Sequence, residues 1–172
     1  RQIQNWIIKR YQDIAEDLDI HNKIMEQIKE SILSLTENQI EDNPFLYDTF
    51  LAAGEDNNAK LVAEYFRSNG LMARYMHPKT AGLFVTGEPQ NARILPSSYD
   101  KLEKLIEYEG VLVIPGFFGI TAEGDICTFS RGGSDITGSL IAAAVGAELY
   151  ENFTDVDGIF AAHPGVVDKP HS

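Results

Sequence analysis

Apolar residues recur at helical spacing over positions 3–18, where Ile3, Trp6, Ile7, Tyr11, Ile14 and Leu18 stand three or four apart. A break near Asp19 separates them from a second stripe: Ile20, Ile24, Ile28, Ile32 and Leu35. Two successive amphipathic helices predict a helical hairpin whose apolar faces pack on each other or on a sheet. A coiled-coil arm for a partner is the alternative, and the stripe is short for that role. The polar run 37–44 closes the hairpin. A further helix is predicted to start at Glu55 and Asp56, acids suited to a first turn. It carries Leu61, Val62, Tyr65 and Phe66 and stops at Asn69-Gly70, a left-handed helix end.

Beyond Gly70 the period shortens. Residues 71–76 and 83–86 read as strands, and 96–108 as a helix with Pro96 in its first turn and Gly110 just past its end. Val111-Leu112-Val113-Ile114 is a continuous apolar run, the pattern of a strand buried on both faces in a parallel sheet. Strand 125–129, a small-residue helix over 135–145 and strand 148–153 follow. This alternation predicts an α/β fold, a three-layer α/β/α sandwich, in which ligands bind beyond the carboxyl ends of the strands.

Three turns follow predicted strands and are expected to meet at one sheet edge: Pro115-Gly116-Phe117-Phe118-Gly119, residues 130–134, and Thr154-Asp155-Val156-Asp157-Gly158. In the second, Arg131 precedes two glycines, Gly132 and Gly133, that let a ligand approach the main chain. Ser134 is expected to cap the following helix, with Asp135 in its first turn. Two glycine turns at strand ends suit the handling of phosphate.

Charge and composition narrow the partners. At 172 residues the chain is one domain or a large piece of one. A net charge of −12 argues against nucleic acid, whose binders carry a basic face. It also makes a cation beside a glycine turn, Arg131 above all, more telling. No apolar run approaches a membrane span, and no signal peptide is visible. The single cysteine, Cys127, is expected as a buried thiol in a reducing cytoplasm. His21, His77, His163 and His171 are scattered without metal-ligand spacing, and one cysteine builds no zinc site. Asp155-Val156-Asp157-Gly158 imitates part of a calcium loop, but the bidentate acid position falls on Pro164. Walker, Rossmann and protein-kinase motifs are all missing from the sequence.

Arg131-Gly132-Gly133-Ser134-Asp135, with Pro115–Gly119 before it and Thr154–Gly158 after it, resembles the aspartate kinases of the amino-acid kinase family, most strongly over residues 52–167. The resemblance implies a sandwich of the amino-acid kinase type and transfer of a phosphoryl group from MgATP to the side-chain carboxylate of L-aspartate. That reaction opens the route to lysine, threonine and methionine. It further implies that Arg131 grips the substrate α-carboxylate, that Glu55 meets its ammonium group, and that Gly132, Gly133 and Ser134 line the same side. Asp135 corresponds to the acid that orients the catalytic lysine. Gly116, Gly119, Thr154, Asp155 and Phe160 fall on the ATP side; Phe160 stands where tyrosine is usual, and Gly165 where many relatives have arginine. No residue is assigned to a metal, so magnesium is expected to be held through ATP.

Family members begin with a Lys-Phe-Gly-Gly strand and end in regulatory domains, and neither is found here. The expectation is therefore a central fragment, inactive alone: residues 1–50 a helical segment of the catalytic domain, 51–172 its α/β core, and the intact enzyme a cytoplasmic homo-oligomer. A glutamate, acetylglutamate or nucleotide monophosphate kinase is the nearest alternative, and a non-catalytic ligand-binding module the next.

Overall fold

The structure, a computed structural model, describes residues 2–20, 22–37, 42–130 and 132–153. Helices α1 (Gln2–Asp17) and α2 (Asn22–Glu37) form the predicted hairpin. Ile8, Ala15, Ile28 and Ile32 are buried between them together with Leu61 of α3 (Leu46–Ser68). Most of both apolar stripes is thus used inside the molecule, while Ile3 and Trp6 stay 73% and 71% exposed. The Gln4 amide staples the hairpin by donating to the Ile32 carbonyl at 3.1 Å and to Thr36 Oγ1 at 2.9 Å.

Helix α3 begins at Leu46, nine residues before the predicted start, and so runs across position 50. Its entry is set by Asn43, whose Oδ1 accepts from the Phe45 amide at 2.9 Å, with Asp48 in the first turn. Its exit is the predicted one: Gly70 is left-handed at φ 82°, and the Asn69 amide group donates to the Tyr65 carbonyl.

Strands β1 (Ala73–Tyr75) and β2 (Val111–Val113) pair in parallel, Tyr75 opposite Val113. Side chains alternate across a strand. Tyr75 reaches Asp56 on α3, while Leu112 joins Leu83, Leu102, Leu105 and Leu140 in a second core. Helix therefore covers both faces, α3 on one and α5 (Tyr99–Leu102) with α6 (Gly133–Ala144) on the other. This is the α/β/α layering the sequence predicts. The run 111–114 is less buried than predicted, with Val111 38% exposed, because β1 is the one strand paired to β2 among the described residues.

Strands β3 (Phe118–Ile120) and β4 (Ile126–Thr128) form an antiparallel hairpin. Residues 83–86 contribute single bridges, Phe84 to Ile120 and Val85 to Ile94, where a full strand was predicted. The helix predicted over 96–108 is broken into 3₁₀ turns at Pro96–Ser98 and Glu103–Glu107 flanking α5. The Ser98 hydroxyl causes part of this: buried, it pairs with both the amide and the carbonyl of Phe84 at 2.8 Å. No strand forms over 148–153, where Leu149 is 72% and Phe153 92% exposed. Cys127 is fully buried in β4, its thiol donating to the Glu88 carbonyl; burial, helped by the Asp48 charge, pushes it up to about 11.

His77 caps the short helix α4 (Pro78–Ala81) by accepting from the Lys79 amide through Nδ1. Burial lowers its pKa, outweighing the opposing Asp56 charge, so the folded protein favours the neutral ring. A depressed folded value means the stabilisation is whole above about pH 6.5 and is lost as pH falls below it. His77→Asn keeps a capping acceptor but does not titrate. Melting temperatures taken between pH 7.5 and 5.5 should fall more steeply for the wild type than for this variant; parallel profiles would count against the assignment.

Candidate functional site

Because β1 and β2 are parallel, their carboxyl ends share one edge, and the chain leaving β2 turns there through Pro115, Gly116 and Phe117. Phe117 holds a left-handed backbone at φ 57°, uncommon for a bulky residue and a mark of functional sites. Its amide donates to Thr137 Oγ1 at 3.1 Å, and the Thr137 hydroxyl donates to the Gly133 carbonyl at 2.9 Å. The Phe129 amide donates to the Phe117 carbonyl. One buried threonine thus fastens the first glycine turn to the helix after the second.

The contact is close. A Cβ on Gly133 would lie 2.8 Å from Phe129 Cβ and 2.9 Å from Phe117 Cβ, and one on Gly116 would lie 3.3 Å from Ser134 Cα. The turns expected to meet at one edge do so for the first two. Gly133 is used for packing protein on protein, with its Cβ direction filled, while Gly132 faces open space. Gly132, left-handed at φ 77°, is the residue that caps α6; Ser134 lies inside the first turn and makes no capping bond. Gly119 lies within β3, where a Cβ would sit 2.5 Å from Val85 Cγ1. Its missing side chain serves the packing of the strands.

Asp135 occupies the first turn of α6, exposed, and accepts from Asn152 Nδ2 at 3.1 Å. Glu55 stands half-buried on α3 between two anchors. On one side Asp56 accepts from the Tyr75 hydroxyl and pairs with Lys60 at 2.6 Å, both partners largely buried. Burial, then the Asp56 bond, raises the Tyr75 pKa and keeps the phenol a donor. On the other side Asp48 bonds to the end of β4, with Oδ2 accepting from the Thr128 amide at 2.7 Å. The Glu55 charge is also felt at Tyr11, whose phenol is raised mainly by its own burial and donates to the Gly54 carbonyl.

A cleft of about 410 Å³ opens between α3 and these turns, lined by Tyr47, Leu51, Gln90, Phe117, Phe129 and Ser130 among others. A second cavity of about 430 Å³ lies between α1, α2 and α3 and is apolar; it includes none of the glycine-turn residues. The first has the mixed lining and converging turns expected of a ligand site.

A family model for the amino acid kinase family matches residues 6–171. The chain belongs to the amino acid kinase family. Among curated relatives it is 50% identical to aspartokinase 3 of Bacillus subtilis (strain 168) over 165 residues, 95% of this chain and 36% of that protein. It is 40% identical to the aspartokinase of Mycobacterium tuberculosis (strain H37Rv) over 121 residues, 70% of this chain and 29% of that one. The structure matches the aspartate kinase of Clostridium acetobutylicum with a TM-score of 0.71 and 33% identity, covering 98% of this chain and 36% of that chain. It also matches Escherichia coli aspartokinase III in complex with aspartate and ADP, with a TM-score of 0.67 and 25% identity, over 99% of this chain and 38% of that one. The chain therefore spans about a third of the length of these family members.

Within this amino acid kinase domain the structure brings Gly116, Gly132, Gly133 and Ser134 together, with Asp135 at the same helix end. Arg131, Thr154, Asp155, Phe160 and Gly165 lie outside the described residues. Phe117, Thr137 and Asp48 were not among the residues singled out from sequence. The Gly-Phe-Phe-Gly spacing signals a turn in which one aromatic must adopt an unusual backbone. Nothing comparable announces the other two.

Proposed function

We propose that the protein is an aspartate kinase, transferring the γ-phosphoryl group of ATP to the side-chain carboxylate of L-aspartate in the pathway toward lysine, threonine and methionine. The observation that carries this reading is the Gly-Gly-Ser-Asp head of α6, which follows an arginine in sequence and packs on the Pro-Gly-Phe turn, in a chain half identical to an aspartokinase. The E. coli aspartokinase III structure, in complex with aspartate and ADP, supports the same pair of substrates.

The aspartate carboxylate is already ionised at neutral pH and needs no general base. One of its oxygens attacks the γ-phosphorus as the bond to the departing ADP oxygen breaks, giving an acyl phosphate with no proton moved. The protein's part is positioning and charge neutralisation. Arg131 offers a planar fork matched to the substrate α-carboxylate, and Glu55 an anion for its ammonium. The first-turn amides of α6, headed by left-handed Gly132, would offer the positive end of the helix dipole to the phosphate. Asp135 would hold a lysine ammonium against the transferred phosphate. Magnesium would be carried by the nucleotide phosphates and water, which suits its preference for keeping several waters. Bound there, magnesium would neutralise developing phosphate charge.

No helix among the described residues is long and apolar enough to cross a membrane. A cytoplasmic homo-oligomer is the setting proposed, with the buried Cys127 thiol suited to a reducing compartment.

Aspartate-dependent ADP formation by the full-length protein is the direct test. Arg131→Lys keeps the charge and loses the fork, at roughly 1.5–3 kcal/mol for one charge-assisted contact, so the aspartate KM should rise about ten- to a hundred-fold. An unchanged aspartate KM in a folded variant removes Arg131 from the substrate site.

A further inference from the structure

Asp48 is a buried carboxylate, 0% exposed, in the first turn of α3. Its Oδ2 accepts from two backbone amides far away in sequence, Gln90 at 2.9 Å and Thr128 at 2.7 Å, while Oδ1 has no hydrogen-bond partner among the described residues. An apolar side chain in its place would leave both main-chain amides without their acceptor, so this one carboxylate ties α3 to two distant stretches of chain at once. Such an acid is better explained by what it fixes in place.

What it fixes are the two walls of the cleft. Thr128 ends β4 three residues before Arg131, and Gln90, itself left-handed at φ 59°, lines the cleft beside Leu51. Glu55 lies seven residues beyond Asp48 on α3, so it shares the same helix face about 10 Å further along. Lys60, Asp56 and Tyr75 hold α3 to β1 beyond Glu55; Asp48 holds it to β4 before Glu55. Two fixed points leave the helix little freedom to slide or roll between them.

We infer that Asp48 is a positioning residue whose carboxylate clamps α3 to the end of β4, and so holds Glu55 at a set distance and angle from the Gly132–Asp135 head of α6. The inference rests on reading that stretch and Glu55 as the aspartate pocket. The clamp would keep Glu55, the proposed ammonium partner, at one separation from the head of α6, making Asp48 a determinant of which amino acid length the pocket accepts. It touches neither substrate.

The experiment compares Asp48→Ala and Asp48→Asn in the full-length protein, at a temperature where circular dichroism shows each folded. Alanine removes the acceptor for both amides, so the aspartate KM should rise at least about tenfold while the ATP KM stays within about threefold. Asparagine keeps one carbonyl oxygen for both amides and should restore the aspartate KM to within about threefold of wild type. A merely structural role would lower the melting temperature and the active fraction, and hence kcat, leaving both KM values alone. Wild-type turnover with an unchanged aspartate KM in folded Asp48→Ala overturns the clamp by itself. Absence of aspartate-dependent turnover in the wild type overturns the kinase reading and the clamp together. Should Asp48→Ala not fold, Asp48→Ser carries the same comparison; failure of both to fold assigns Asp48 to the core and overturns the proposal.

Discussion

Gly133→Val should lower the melting temperature by roughly 6–12 °C, the equivalent of about 3 kcal/mol in a chain of this size, and abolish most activity. A Cβ at that position lies 2.8 Å from Phe129 Cβ, 2.9 Å from Phe117 Cβ and 3.0 Å from Phe117 Cα. None of these atoms can swing aside as the tip of a long side chain would. The strain must be relieved by moving either the first turn of α6 or the Phe117 backbone. Either movement breaks the Thr137 bonds to Phe117 and Gly133 and shifts the amides at the helix head. Misplacing reacting groups by about 1 Å costs on the order of 10²-fold in rate. Thermal melts and steady-state assays check both halves. A melting temperature equal to the wild type's would show that the two turns are not in contact.

Asp135→Asn should fold normally and fail in catalysis. Asparagine keeps an oxygen to accept from Asn152 Nδ2, so the local bond at 3.1 Å survives. What goes is the negative charge proposed to hold a lysine against the transferred phosphate. Groups placed for transition-state charge are worth on the order of 10²–10³ in kcat each, and the aspartate KM should move much less. Steady-state kinetics distinguish this from a ligand contact: a raised KM with intact turnover would make Asp135 a substrate-binding residue.

Much of this was legible in the sequence because its periodicity and turn chemistry agree with the packing. The three- and four-residue spacing from Ile3 to Leu35 discloses the α1–α2 hairpin, and the small-residue run after Gly133 discloses α6. The early start of α3 was hidden because its first two turns are apolar nearly all round and Gly54 interrupts the pattern. Strands 83–86 and 148–153 were overestimated: their residues suit strands, but pairing requires a neighbour that composition does not reveal. Ser134 was taken as a cap from its type, and the left-handed backbone of Gly132 displaced it by two residues. The meeting of Gly116 with Ser134 followed from strand-end turns in an α/β fold. Asp48 could not be found that way, since both its partners are main-chain amides and carry no side-chain signature.

The bond from Asp48 to Thr128 joins residues 80 apart, whereas the Gln4 staple of the hairpin joins residues 28 apart. Loop-closure entropy grows only with the logarithm of length, so the longer closure costs about 1 kcal/mol more than the shorter. Outside its helices and strands, the chain between the two walls of the cleft is consequently almost free to vary in length. Its exposed tip at Glu123 and Gly124, where a Cβ on the glycine would meet nothing within 4 Å, is the place where inserted residues would disturb least. Geometry at the two ends of that stretch, not the length of its connecting turns, is what the cleft requires.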